Sequence, residues 1–99
     1  MTEACFLVAT AIPNPDNMGE MKTYLEKASA LLDPLTEGAA KRMKISEVVA
    51  GEAAALVMFM EFPSKKKLSE RLASEEYQAL IPGRERGFQS MNIWIADAM

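Results

Sequence analysis

The chain contains no histidine and a single cysteine, Cys5, among its 99 residues. Without histidine it lacks the commonest general base, the commonest metal ligand and the proximal ligand of most haem sites. One cysteine excludes an intrachain disulfide and a cysteine-rich zinc centre. It fits a reducing compartment, and the expected location is the cytoplasm. The carboxylates are scattered, so no metal site is expected, and no cofactor either. Basic charge is also short: 11 Lys and Arg stand against 14 Asp and Glu, a net charge of −3. A phosphate-backbone binder would want a basic face, so nucleic acid is not an expected partner. No apolar run approaches the roughly 18 residues needed to cross a bilayer, so no membrane is expected. The opening "MTEACFLVATAIPN" is apolar but carries Glu3 and no Lys or Arg, a poor secretory signal.

What is present is one domain's worth of periodic segments, residues 1–99. "ACFLVATAI", Ala4 to Ile12, is apolar almost throughout and reads as a strand buried on both faces. "PNPDN" follows as a turn, with Asp16 or Asn17 as the expected N-cap. Met21, Tyr24, Leu25, Ala28, Leu31 and Leu32 recur at spacings of three and four, predicting a helix over about Asn17 to Leu32. Pro34 cannot continue it. "LTEGAAK" is a connector with Gly38 as its loosest point. Arg42 to Ala50 alternates imperfectly and reads as an outer strand. Gly51 marks a reversal. Ala54 to Phe62, "AALVMFMEF", is again apolar on both faces. Ser64 is the expected N-cap of a second helix facing inward through Leu68 and Leu72. "QSMNIWIADA" closes the chain as a strand.

The order β-α-β-β-α-β predicts a ferredoxin-like α+β fold, with a four-stranded antiparallel sheet and both helices on one side. That topology makes the first and third strands central, and these two read as apolar on both faces. Cys5, Leu7, Ala9 and Ala11 share one face of the first strand and Phe6, Val8, Thr10 and Ile12 the other, with Leu56, Met58, Met60 and Phe62 set against Val57 and Phe59 on the third; one of these faces would have no helix to pack on. A contiguous apolar face of several hundred Å² calls for a cover. The expected cover is a second copy of the chain, giving a homodimer with a cavity between or beside the sheets. The alternative is a monomer whose own loop folds over the sheet.

Between the second helix and the last strand lies "SEEYQALIPGRERGF", Ser74 to Phe88. Ser74 is a good N-cap, and Glu75 and Glu76 suit a first helical turn. Pro82 and Gly83 are expected to stop or kink the short helix. Two readings stand side by side. Tyr77 packs and the charges are solvated, or Tyr77 and Arg84 aim a phenol and a guanidinium into a cavity as donor and anion clamp. Arg86 reads as a surface charge. Glu61 ends an apolar strand; enclosed, it could act as a base, and at a strand end it could simply pair with a cation. Asn92 and Trp94 share one face of the last strand. Cys5 reads as an inert core thiol, and the eight methionines mainly as core.

"EFPS" at Glu61 to Ser64, followed by "SEEYQALIPGRERGFQSMNIWIA", resembles domain-of-unknown-function family 1330, most clearly over residues 55–97. The resemblance implies ferredoxin-like subunits paired through their sheets, as in the dimeric α/β-barrel superfamily. It favours Arg84 as a ligand contact, because family members keep an arginine at the matching place. Relatives in the superfamily include cofactor-free monooxygenases whose pockets use Asn, Trp, Tyr and Arg side chains. Residue reading and resemblance together give the ligand-binding candidates Tyr77, Arg84, Asn92 and Trp94; the catalytic candidates are Tyr77, Arg84 and Asn92, with Glu61 added from its place at the end of an apolar strand. The leading expectation is an uncharacterised dimeric protein binding a small molecule beside the sheet, its enzymatic status open. The alternatives are a monooxygenase-like enzyme acting on a small aromatic or acidic metabolite, and a purely structural or interaction dimer. An RNA-recognition module shares the strand order, but "LVMFMEFPS" lacks its glycine-basic start.

Overall fold

A computed structural model of the chain describes residues 4–38 and 40–99. Glu3, noted above as unlike a secretory signal, and Ala39, in the expected connector, lie outside the described residues. The strands are β1 (Cys5–Pro13), β2 (Lys41–Lys44), β3 (Leu56–Phe62) and β4 (Phe88–Ala96). The helices are α1 (Met18–Leu32), α2 (Lys65–Leu72), α3 (Glu75–Gln78) and α4 (Ile81–Gly87). The sheet order is β2-β3-β1-β4, every neighbouring pair antiparallel. β1 and β3 are therefore central, as their apolar faces require.

The register settles which residues share a face. Cys5, Leu7, Ala9 and Ala11 are buried beneath the helices. Leu7 lies opposite Met60 and Ile95, and Ala9 opposite Met58 and Ile93. The other face carries Phe6, Val8 and Thr10, opposite Glu61, Phe59 and Val57 on β3 and Ala96, Trp94 and Asn92 on β4. No helix covers that face among the described residues, and Trp94 stays 52% exposed.

α1 presents Tyr24, Ala28 and Leu32, four apart on one stripe, to the sheet. Two groups of buried side chains result. Cys5, Leu7, Leu32, Phe62 and Leu68 form one; Ala11, Tyr24, Ala28, Tyr77 and Phe88 form the other. Ser64 caps α2, its Oγ accepting from the Lys67 backbone N–H at 3.2 Å. α1 starts one residue after Asn17, whose side chain makes no cap hydrogen bond. Asn14 caps the short 3₁₀ turn ahead of it instead, accepting from the Asp16 N–H.

Two segments depart from the sequence reading. The outer strand is four residues long, not nine. After Lys44, among the described residues, the Ile45 N–H alone reaches across, to the Ala55 carbonyl at 2.9 Å, while the Ala55 N–H turns to Ala11 on β1. Alternation fails at Glu47, Val48 and Val49, so no single face of that stretch is worth burying; Val49 is fully out in solvent. Gly51 makes the expected reversal with φ +91°. The second departure is α4. Pro82 does not stop a helix but sits in the first turn of one. There the missing proline N–H removes no hydrogen bond, because the first-turn donors have no intrahelical acceptor.

Candidate functional site

The helical layer after β3 is broken into three pieces, and each break positions a polar side chain. Ser74 separates α2 from α3: its Oγ donates to the Arg71 carbonyl at 2.6 Å and accepts from the Tyr77 N–H at 3.3 Å. That cap turns Tyr77 inward, where it is 4% exposed. α4 is then pinned against α1 at its far end. The Asn14 and Asn17 side chains donate to the Arg86 carbonyl at 3.2 and 3.1 Å, and the Asn14 N–H donates to the Gly87 carbonyl. These bonds satisfy carbonyls that a helix C-terminus leaves open. The exposed Arg86 guanidinium adds a two-pronged pair with Glu20, at 3.0 and 3.2 Å. Gly87 permits the approach: a Cβ there would lie 2.6 Å from the Met21 backbone nitrogen.

Held this way, α4 delivers Arg84 to Tyr77. The Arg84 Nη1 donates to the Tyr77 hydroxyl at 3.1 Å, and the Tyr77 and Tyr24 hydroxyls lie 2.7 Å apart. The two rings meet edge-on, and Phe88 packs edge-on against Tyr24 from the other side. Burial, reinforced by the hydrogen bond with Tyr77, pushes the Tyr24 phenol well above its ordinary pKa. Burial acts to lower the Arg84 guanidinium, but its contacts with Tyr77 and Tyr24 outweigh this and raise it. The cluster thus sets a charged guanidinium behind a pair of hydrogen-bonded tyrosine hydroxyls.

A cavity of about 60 Å³ lies between the sheet and α1, at the seam between the two core groups. Its origin is steric. Ala9 on β1 and Ala28 on α1 both line it, and small side chains from two layers leave space between them. Leu7, Leu32, Met58, Met60 and Ile93 give it apolar walls. Tyr24 and Tyr77 form a polar patch of the wall, and Ser29 and Arg42 another.

The hydroxyl inventory matters here. The two tyrosines carry two O–H hydrogens. Their mutual bond uses one, and Arg84 contributes a hydrogen rather than accepting one. Both oxygens are partnered, and one phenolic O–H of the pair has no protein acceptor among the described residues.

The sequence candidates divide between the two sides of the sheet. Tyr77 lines the cavity. Arg84 is not among its described lining residues and touches it only through Tyr77. Asn92, Trp94 and Glu61 lie on the opposite, helix-free face. There the Asn92 amide donates to the Thr10 hydroxyl at 3.3 Å, side chain to side chain. Glu61 is exposed on that face, its backbone carbonyl taking the Glu37 N–H at 2.8 Å. Tyr24, Ser29 and Arg42 were not singled out from the sequence. Tyr24 reads there as one more stripe residue of α1, and nothing local marks a partner 53 positions away. Cys5 is fully buried, as expected. Among the described residues no group of three His, Cys, Asp or Glu could hold a metal ion, and no helix is long and apolar enough to cross a membrane.

Comparison with known proteins supports the architecture. A protein of unknown function from Rhodopseudomonas palustris superposes with a TM-score of 0.78 at 12% identity, covering 100% of this chain and 85% of that one. A dimeric, ferredoxin-like protein of unknown function from Bacteroides fragilis NCTC 9343 gives 0.62 at 12% identity, covering 96% of each chain. A putative antibiotic biosynthesis monooxygenase from Nitrosomonas europaea gives 0.67 at 7% identity, covering 100% of this chain and 93% of that one. No curated protein matches the sequence. At such identities these likenesses speak to fold alone. The sequence model of the family described as a domain of unknown function, DUF1330, matches residues 5–99. The ferredoxin-like chain described here belongs to the DUF1330 family.

Proposed function

We propose that this chain is one subunit of a homodimer that binds a small, largely apolar molecule in the cavity between sheet and α1. The observation that carries the ligand-binding reading is the apolar cavity itself, with the hydrogen-bonded Tyr24 and Tyr77 among its lining residues. Tyr77 and Tyr24 are the contacts, and Arg84 acts through Tyr77, keeping the pair polarised and its hydroxyls in place.

Size limits the ligand. An apolar cavity of roughly 150 Å³ takes a benzene ring. At about 60 Å³ this one holds a short aliphatic group as it stands, and an aromatic ring only if α1 or the methionine side chains give way. The homodimer rests on the helix-free face. Phe6, Val8, Val57, Phe59 and Trp94 form an apolar surface there, and a two-fold sheet-on-sheet contact would cover it. Asn92, Trp94 and Glu61 would then serve the subunit contact, on the side of the sheet away from the cavity. The dimeric neighbour from Bacteroides fragilis supports this reading.

The test is a ligand titration followed by NMR of the methionine methyl groups. Short ketones, alcohols and acids are added to the wild type and to Ala28→Val, which fills the cavity. Perturbation of the Met58 and Met60 methyls in the wild type, lost in the variant, is expected. Equal perturbation in both proteins, or none in either, overturns the reading. Oxygen uptake on adding a quinol would show turnover of the monooxygenase kind.

A further inference from the structure

Arg42 stands out once the cavity is described. β2 is an edge strand, and its register pairs Arg42 with Met58 and Lys44 with Leu56, both on the helix-covered face. Alternation therefore sends the Arg42 side chain toward α1, over the apolar layer, rather than to the open face. It reaches the Ser29 hydroxyl on α1, with Nη2 donating at 2.8 Å. That bond bridges the edge strand and the helix across one side of the cavity, which both residues line.

The guanidinium is exposed and makes no ion pair among the described residues. A guanidinium has five N–H donors, and the Ser29 bond uses one. Two surface depressions share Arg42 with the cavity. One runs past Lys22, Leu25 and Glu26; the other passes Lys44, Leu56 and Val57. The two depressions bring three cations, Lys22, Arg42 and Lys44, together with one carboxylate, Glu26. The local balance is positive on a chain whose net charge is −3. That local balance favours an anion beside Arg42.

We infer that Arg42 is the anion-recognition residue of the cavity, and that the ligand class is a small carboxylate with an aliphatic body. The inference rests on the ligand-binding reading above. The carboxylate takes the fork of Arg42 at the mouth, where two parallel N–H donors match its geometry. Ser29 holds the guanidinium in line. The aliphatic body enters between Ala9 and Ala28. The tyrosine pair lines the same cavity and suits a ligand carrying a second oxygen.

Isovalerate and isovaleramide test this, being nearly equal in shape and differing in charge. Both are titrated by NMR into the wild type, Arg42→Gln and Arg42→Lys at low salt. The wild type is expected to favour isovalerate by ~10-fold or more, the scale of one charge-assisted hydrogen bond. R42Q is expected to bring the ratio to about one, chiefly by weakening isovalerate, and R42K to keep part of the preference, because lysine lacks the fork. Equal binding of acid and amide by the wild type, or a preference that survives R42Q, overturns the assignment of Arg42 while leaving the cavity reading intact. Binding of neither compound overturns the cavity reading, and the assignment with it.

Discussion

The hydroxyl of Tyr24 on α1 lies 2.7 Å from the hydroxyl of Tyr77 on α3, joining residues 53 positions apart inside the apolar layer. Both rings are buried, and Arg84 donates to Tyr77 from outside. Tyr77→Phe removes the middle of this chain, leaving Tyr24 without its partner and Arg84 without its acceptor. The expected loss is about 1–3 kcal/mol of stability, the cost of leaving a buried polar group unpaired. Urea unfolding checks it. Tyr24→Phe is expected to cost less, because Tyr77 keeps the Arg84 bond.

The raised Tyr24 pKa has a consequence at alkaline pH. The folded phenol keeps its proton where the unfolded phenol, titrating near 10, loses it. Below that value both states are protonated and the group adds no pH dependence. Above it the unfolded state binds fewer protons, so stability falls as pH rises toward the folded value. The slope contributed approaches ~1.4 kcal/mol per pH unit. Urea midpoints of the wild type and Tyr24→Phe, measured from pH 9 upward, are expected to converge above about 10. Lysine titration affects both proteins alike and cancels in the difference.

Two glycines of α4 predict opposite results. At Gly87 a Cβ would stand 2.6 Å from the Met21 backbone nitrogen, a contact that no side-chain rotation relieves. Gly87→Ala is expected to cost roughly 1–3 kcal/mol, as overpacking does, by pushing α4 off α1. At Gly83 the nearest atom is the Glu20 carboxylate at 3.4 Å, an ordinary contact with a flexible end. Gly83→Ala is expected to stabilise by about 0.4–1 kcal/mol through the unfolded chain. Thermal unfolding of the pair checks both signs in one experiment.

The helix-free face makes the dimer testable without a ligand. Sedimentation at micromolar concentration is expected to show two copies of the wild type. Val8→Asp and Trp94→Asp place a charge at facing positions on the two strands. Each is expected to give monomers with an unchanged circular dichroism spectrum, because neither side chain packs beneath the helices. A monomeric wild type would remove the homodimer from the proposed function.

Much of the architecture was legible in the chain. The two strands apolar on both faces proved central, and Ser64 and Ser74 cap the helices they precede. These features are local: a hydrophobic period or a cap depends on residues within one turn or one strand. Where the structure departs from the local pattern, a distant partner decides. β2 ended early because Ala55 hydrogen-bonds to Ala11 on β1, leaving residues 46–54 without a ladder. The helical continuation through Pro82 depends on Asn14 and Asn17 closing its far end from the β1–α1 connection.

The candidate site was legible only in part, for the same reason. Tyr77 and Arg84 could be picked out because they share a short, polar segment. Tyr24 and Arg42 could not, because each looks ordinary in its own element: one apolar stripe residue, one edge-strand cation. By itself the sequence determined the order of elements, the central strands, the bare apolar face, and the absence of histidine chemistry, because composition and period are carried by neighbouring residues. Only the tertiary structure decided that Asn92 and Trp94 lie on the other side of the sheet from Tyr77, that two alanines leave a cavity, and that Arg42 reaches its rim. Those are facts of register and layer packing, and they exist only once strands and helices far apart in the chain are brought face to face.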